Sequence, residues 1–332
     1  MKFTGERFVP TEKGEIRVEH FHRYALARGF SQGGVVLDLA CGEGYGSAML
    51  CQTAQHVVGV DVSPEAVGHA ELTYGHLKNL RFECRSAIDT GFSDAFFDVV
   101  VSYETIEHLA EQSEMLAEIR RVLKADGILI MSSPNRPVYS EGRDYHNEFH
   151  VKELNFAEFD DLLCPHFGQI DYYGQRLAMG TVIQPLDQNL PEYKAFSDDG
   201  IYVSQRTFSM QLPVYYLAVC GPAGKPLPNL NASIFIPDSL DLVQHYVGFA
   251  QWAQKQDREI EIRDKNVQHY KKNTESLDLV VGSLKQEIVE LRAEIKTVGR
   301  QREQLHLEII RAEAQLALLK DLMLDDKSLE SF

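Results

Sequence analysis

Three side chains able to carry a proton fall together in Tyr103-Glu-Thr-Ile-Glu-His108: Glu104, Glu107 and His108. Their i, i+3, i+4 spacing puts all three on one face if the segment is helical, ready to work beside a bound ligand. Upstream, Val35-Val-Leu-Asp-Leu-Ala-Cys-Gly-Glu-Gly-Tyr-Gly46 carries an apolar run into a turn with glycine at 42, 44 and 46, followed by a helical pattern. Glycine at these points lets the backbone turn sharply and a ligand approach the helix N-terminus. Asp61 ends the next apolar run, Val57-Val-Gly-Val60, where its carboxylate can take two hydroxyls of a ribose. It can also cap a helix opening at Pro64, and the two roles are compatible.

These residues need a scaffold, and the patterning supplies one. Short apolar runs at 35–39, 57–60, 80–82, 97–101 and 128–131 read as buried strands, nearly continuous in hydrophobicity as strands of a parallel sheet are. Helical stretches at 44–52, 64–74 and 105–123 separate them, so the expected fold is α/β: a doubly wound, Rossmann-like sheet over residues 1–221. Residues 167–173 and 214–219 read as two further edge strands, with 175–212 between them as a lid or substrate insertion. Residues 222–238 hold four of the 12 prolines and read as a linker.

From 239 to 325 the texture changes. Counting by sevens through Ile288, from Tyr246 to Met323, and through Leu284, from Leu242 to Leu319, gives two apolar seams of about twelve heptads. Only Gln256, Arg263, Thr274 and Arg302 interrupt them, so a coiled coil is expected. Between Val281 and Leu305, β-branched residues at a and leucine at d favour a parallel dimer, and a continuous helix would be about 125 Å long. The alternative is a hairpin bent at Gly282 or Gly299.

Composition bounds the partners. The chain has 332 residues, 44% hydrophobic and 25% charged, which excludes disordered and collagenous classes. Five scattered cysteines form no CxxC, no run is long and apolar enough to cross a membrane, and the start lacks the apolar core of a signal peptide. The expected compartment is the cytoplasm. The net charge is −16, with 19 basic against 32 acidic residues in 1–238, so nucleic acid is not an expected partner.

In its first 220 residues the chain resembles the class I S-adenosylmethionine-dependent methyltransferases. The resemblance rests on Asp38 to Gly46, Gly59-Val-Asp61, Phe97-Asp-Val-Val-Val-Ser102 and Leu123-Lys-Ala-Asp-Gly-Ile-Leu129, in that order. It implies that Asp38, Ala40, Cys41, Gly42, Gly44 and Tyr45 hold the amino acid part of the cofactor, with Ser102 and Tyr103 on the cofactor side of the fourth strand. It further implies that Asp61 and Val62 hold the ribose, and that Ser86, Ala87 and Ile88 hold the adenine. Many relatives have aspartate where this chain has Ser86.

The opening Thr4-Gly-Glu-Arg-Phe-Val-Pro10 and Glu19-His-Phe-His-Arg-Tyr24 resemble methyltransferases of bacterial O-antigen and other surface-polysaccharide biosynthesis. By that resemblance Arg23 pairs with the cofactor carboxylate and Tyr24 packs on its sulfonium side. The alternative is an amphipathic helix capping the sheet, the role favoured for His20 and His22.

Glu104 to His108 is similar to the Glu-x-x-Glu-His motif of ubiquinone-pathway and small-RNA O-methyltransferases, some of which bind a divalent metal. Such a metal would take Glu104, Glu107, His108 and His146, with His150 as another candidate. The metal-free alternative is preferred: His108, His146 or His150 accepts the proton of a hydroxyl, with Glu104 beside it. Glu107 as a helix-face partner of a cation, and the two loop histidines as hydrogen-bonded structure, remain open.

The resulting expectation is O-methylation of a sugar hydroxyl in a surface glycan or its precursor, which can stop chain growth. The expected partners are a second copy through the coiled coil, and glycosyltransferases or polysaccharide-assembly proteins. The rivals are a small-molecule O-methyltransferase acting on a phenol, quinone precursor or nucleotide sugar, and a coiled-coil scaffold with an inactive domain.

Overall fold

A computed structural model describes residues 8–10, 14–179, 194–195, 197–198, 203–205, 210, 212–228, 230–238 and 240–326, with side chains beyond 321 left out. The Thr4–Arg7 part of the opening motif and most of the 175–212 insertion lie outside these residues. The chain separates into two units, Met1–His245 and Tyr246–Phe332.

In the first unit, α1 (Glu15–Phe30) precedes alternating strands and helices: β1 (Val35–Leu39), α2 (Tyr45–Leu50), β2 (His56–Asp61), α3 (Pro64–Tyr74), β3 (Leu80–Cys84) and β4 (Phe97–Ser102). A 3-10 turn (Ile106–His108) leads to α4 (Gln112–Val122), β5 (Leu123–Pro134), the short α5 (Arg136–Tyr139), α6 (Phe156–Leu163) and β6 (Gln169–Gln175). The two-residue strands β7 (Ser197–Asp198) and β8 (Val203–Ser204) pair with each other, and β9 (Tyr215–Gly221) returns to the main sheet.

That sheet has seven strands in the order β3-β2-β1-β4-β5-β9-β6. The first five are parallel, while β9 runs antiparallel between β5 and β6. The order reverses between β1 and β4, and in such a sheet the crevice outside the carboxyl ends of those two strands is where ligands bind.

Successive strand residues serve opposite faces, so the continuous apolar runs feed two cores at once. Leu37, Leu39, Val58 and Val100 pack with Met115, Leu116 and Ile119 of α4 and Phe159 of α6. Val36, Val57, Val99 and Val101 pack on the other side with Tyr24 and Ala27 of α1, Leu50 of α2 and Ala70 of α3. At the edge of the first core, buried Glu118 of α4 accepts hydrogen bonds from the Thr90 N–H (2.8 Å) and from Arg121 Nε and Nη2 (2.7 Å each). This pins the loop after β3 to α4.

One expectation needs correction. Residues 105–123 are not a single helix: the 3-10 turn ends at His108, Leu109 is extended, and α4 begins only at Gln112. The cause lies at Glu104, which leaves β4 with φ +51° and redirects the chain before a regular helix can start. The second unit belongs to one helix, α7 (Leu242–Asp326), 85 residues long and unbroken at Gly282 and Gly299. The hairpin alternative therefore does not occur.

Candidate active site

The β1–α2 turn is built for close approach. Ala40, Gly42 and Gly44 all have positive φ, 62°, 56° and 89°, so the chain folds back within four residues of the strand. At Gly46 any Cβ would lie inside the Tyr24 ring, which therefore rests directly on the first turn of α2. Asp61 at the end of β2 accepts from the Gly42 N–H (3.0 Å) and the Ser63 N–H (2.9 Å), tying the turn to the second strand. Asp38 is fully buried and accepts from Ser47 Oγ (2.6 Å) and Tyr24 Oη (3.1 Å). Burial pushes its carboxyl up to about 6, against the pull of those two donors.

Across the switch point, Arg23 is 1% exposed. Its Nη1 donates to Gln175 Oε1 (2.8 Å) and lies 3.8 Å from Glu104, and its guanidinium sits 4.7 Å from the Tyr215 ring centre. Its Nε and Nη2 have no hydrogen-bond partner. The Glu104 N–H donates to Ser132 Oγ, which in turn donates to Glu104 Oε1 (2.6 Å), so the strained residue is held from β5. Tyr103 donates to the Arg23 carbonyl (3.0 Å) and packs edge-on against Tyr24. Burial pushes Glu19, one turn before Arg23, up to about 7.

Beyond the 3-10 turn the imidazoles are set by their partners. His108 Nδ1 donates to the Phe149 carbonyl (2.9 Å), which leaves the lone pair on Nε2. His150 Nδ1 donates to Glu153 (2.6 Å), its Nε2 accepts from Asn147, and its ring meets His108 edge-on at 4.8 Å. Glu107 is fully buried with both carboxyl oxygens unpartnered, and burial, reinforced by Glu104, pushes it well above the usual carboxylate range. An open cleft of about 340 Å³ adjoins His150, lined among others by Arg136, Asp144, Tyr145, His146 and Glu153.

Residues 37–131 match the family described as the methyltransferase domain. The matched segment runs from β1 to β5 and so contains the strands on both sides of the switch point. A probable S-adenosylmethionine-dependent methyltransferase of Mycolicibacterium smegmatis is 36% identical over 166 residues, covering 49% of this chain and 63% of its own length. The 2-methyl-6-phytyl-1,4-hydroquinone methyltransferase of Synechocystis is 30% identical over 172 residues, covering 50% and 53%. The chain thus spans less than two thirds of the curated relatives it matches. Among solved structures, the Bacillus subtilis YcgJ protein is 19% identical with a TM-score of 0.44, covering 62% of this chain and 100% of that one.

Around the switch point the structure sorts the expected site residues. The glycine turn, Asp61, Arg23, Tyr24, Tyr45, Ser102 and Tyr103 converge on the switch point; Tyr45 donates to or accepts from His20 (2.7 Å), and Ser102 Oγ is buried without a partner. Cys41 is buried, while Val62 is 67% exposed. After β3, Ser86 Oγ accepts from the Ile88 N–H and Ala87 packs on the core, so this turn is shaped by its own hydrogen bond.

The cation set expected from sequence is rearranged. Donor atoms of Glu107, His108 and His150 lie within 4.8 Å of one another, and both histidines hold their other nitrogen on an oxygen acceptor, as metal-binding histidines do. Glu104 instead turns to Ser132 and Arg23, and His146 lies in the cleft. The three donors would fit a divalent cation once the Asn147 amide that donates to His150 Nε2 moved aside, and the cation would polarise a bound oxygen there.

Gln175 and Tyr215 were not legible from sequence. They are register partners on β6 and β9 that meet Arg23 from more than 150 residues away, and no local motif marks them.

Proposed function

We propose that the protein is an S-adenosylmethionine-dependent O-methyltransferase that acts on a hydroxyl of a sugar-type acceptor. The observation that carries this reading is the buried, half-unpartnered Arg23 guanidinium, held beside Glu104 just past the carboxyl end of β4. Its free Nε and Nη2 edge is the fork that receives a carboxylate through two parallel hydrogen bonds, and the turn and Asp61 accommodate the rest of a nucleoside-bearing ligand. When bound, the cofactor supplies an electrophilic methyl carbon on a sulfonium. The π faces of Tyr24 and Tyr103 suit a cationic neighbour. His108, with Nδ1–H held by a carbonyl, presents Nε2 to take the hydroxyl proton, and in-line positioning does much of the remaining work.

The lining of the cleft supports this acceptor class. Carboxylates at Asp144 and Glu153, the imidazole of His146 and the ring of Tyr145 suit the hydroxyls and flat face of an uncharged sugar, and they repel a heavily phosphorylated one. A terminal sugar of a surface polysaccharide or its precursor fits, and its methylation would block further extension. The five cysteines are free thiols, in keeping with a reducing cytoplasm, and no helix among the described residues is long and apolar enough to cross a membrane. Recruitment to glycosyltransferases or polysaccharide-assembly proteins would bring the acceptor to the domain.

A second reading, a small aromatic acceptor, is favoured by the likeness to the Synechocystis hydroquinone enzyme. Labelled-methyl transfer to neutral oligosaccharides, phosphorylated sugars and hydroquinones, each with and without EDTA, separates the two. Methylation confined to neutral sugars and abolished by His108→Ala supports the proposal. Methylation of hydroquinones alone replaces it, and loss of activity in EDTA assigns the Glu107, His108 and His150 cluster to a cation.

A further inference from the structure

We infer that α7 forms a parallel, in-register coiled coil with α7 of a second copy of this chain. As a lone helix it leaves a long apolar seam in water: Val281, Leu284, Ile288 and Leu291 are 45–51% exposed, and Leu277 and Ile295 more so. A helix of this length draws most of its stability from packing one apolar face, and among the described residues of its own unit this seam meets nothing.

The identity of the occupant is written in the heptads. From Leu277 to Ile295, a positions are Val281, Ile288 and Ile295, and d positions are Leu277, Leu284 and Leu291. β-branched residues at a with leucine at d select two parallel strands over three or four. Charge on the flanks selects the same orientation. The e flank carries Lys285 and Arg292, and the g flank carries Glu287 and Glu294.

In a parallel pair each g residue faces the e residue of the next heptad, so Glu287 meets Arg292 of the second copy, twice by symmetry. In an antiparallel pair e faces e and g faces g, which sets Lys285 against Arg292 and Glu287 against Glu294. Like charges there oppose pairing. Arg263 at d and Arg302 at a weaken the seam locally but penalise any slipped register that would bury them against leucine or isoleucine. A second copy meets every one of these conditions with no other sequence.

The test uses the full chain. Sedimentation equilibrium should give twice the chain mass of 37.6 kDa. Leu284→Lys/Leu291→Lys should give the single-chain mass while the thermal transition of the methyltransferase domain stays in place. Glu287→Lys should weaken association about fivefold or more, and adding Arg292→Glu should restore it.

Orientation is read by disulfide cross-linking in a Cys84→Ser/Cys164→Ser background. Val267→Cys and Ile309→Cys, about 63 Å apart along the helix, should each cross-link to their own counterpart. A mass of one or three chains overturns the inference, as does cross-linking only when the two cysteine variants are mixed.

Discussion

Replacing Glu118 by glutamine should unpin the loop after β3 from α4 at a cost that the structure sets. The carboxylate takes two charge-assisted bonds from Arg121 and two from Thr90. Burial is the largest single influence and raises its value, but these donors together outweigh it and pull the carboxyl from its ordinary 4.5 down to about 2. At about 1.4 kcal/mol per tenfold change in proton affinity, that displacement bounds the contribution at roughly 3.4 kcal/mol. Arg121 is about a third exposed, and screening by water brings the expected value nearer ~2 kcal/mol.

The sign follows from a lowered folded-state value. The stabilisation is present above 4.5 and is lost as pH falls through about 2, with more than half gone by pH 3. Thermal unfolding at pH 7 should therefore place Glu118→Gln about 4–8 °C below the parent, for a domain of this size. The gap should shrink by about half or more at pH 3. A gap under 1 °C at pH 7, or one unchanged at pH 3, refutes the reasoning. The loop carries Ser86 to Ile88, so cofactor affinity should fall alongside stability.

Other positions give sharper functional readouts. Arg23→Lys keeps the charge but loses the fork, and should weaken S-adenosylmethionine binding about tenfold or more in calorimetry, with little change in melting temperature. Gly46→Ala drives a methyl into the Tyr24 ring and should cost about 1–3 kcal/mol in denaturant unfolding. Glu19 is raised to about 7, so its contribution is fully present below 4.5 and lost as pH rises through 7; Glu19→Gln should flatten the fall in stability across that window, seen in melting temperatures at half-unit pH steps.

Local pattern carried much of this molecule. The apolar pentapeptide before Gly42, the alternation of strands with helices, and the acidic residue closing β2 each depend on neighbours within a few residues, and each lies where its pattern places it. The boundary of α3 at Pro64 and Tyr74 is legible for the same reason, but its cap is Ser63 rather than Asp61, which instead accepts from the Ser63 N–H.

The acceptor side was less legible. Glu104, Glu107 and His108 have helical spacing, yet Glu104 adopts a left-handed conformation held by its bonds with Ser132 on β5 and its approach to Arg23. Spacing rules assume a regular backbone and fail where tertiary contacts stabilise an irregular one. For the same reason His150 rather than His146 meets His108: the choice rests on Phe149, Glu153 and Asn147 shaping the loop, not on sequence distance. Arg23 was visible, but the residues that aim it, Gln175 and Tyr215, come from β6 at the sheet edge and β9 beside it, both remote in sequence.

The central claim is that the switch-point crevice holds S-adenosylmethionine for methyl transfer. Isothermal titration of the full chain with S-adenosylmethionine and S-adenosylhomocysteine, beside Asp61→Ala, tests it most directly. The account predicts micromolar binding of both ligands and a loss of at least tenfold in the variant. A folded parent protein that binds neither ligand would contradict it and leave a Rossmann-like domain serving as a scaffold.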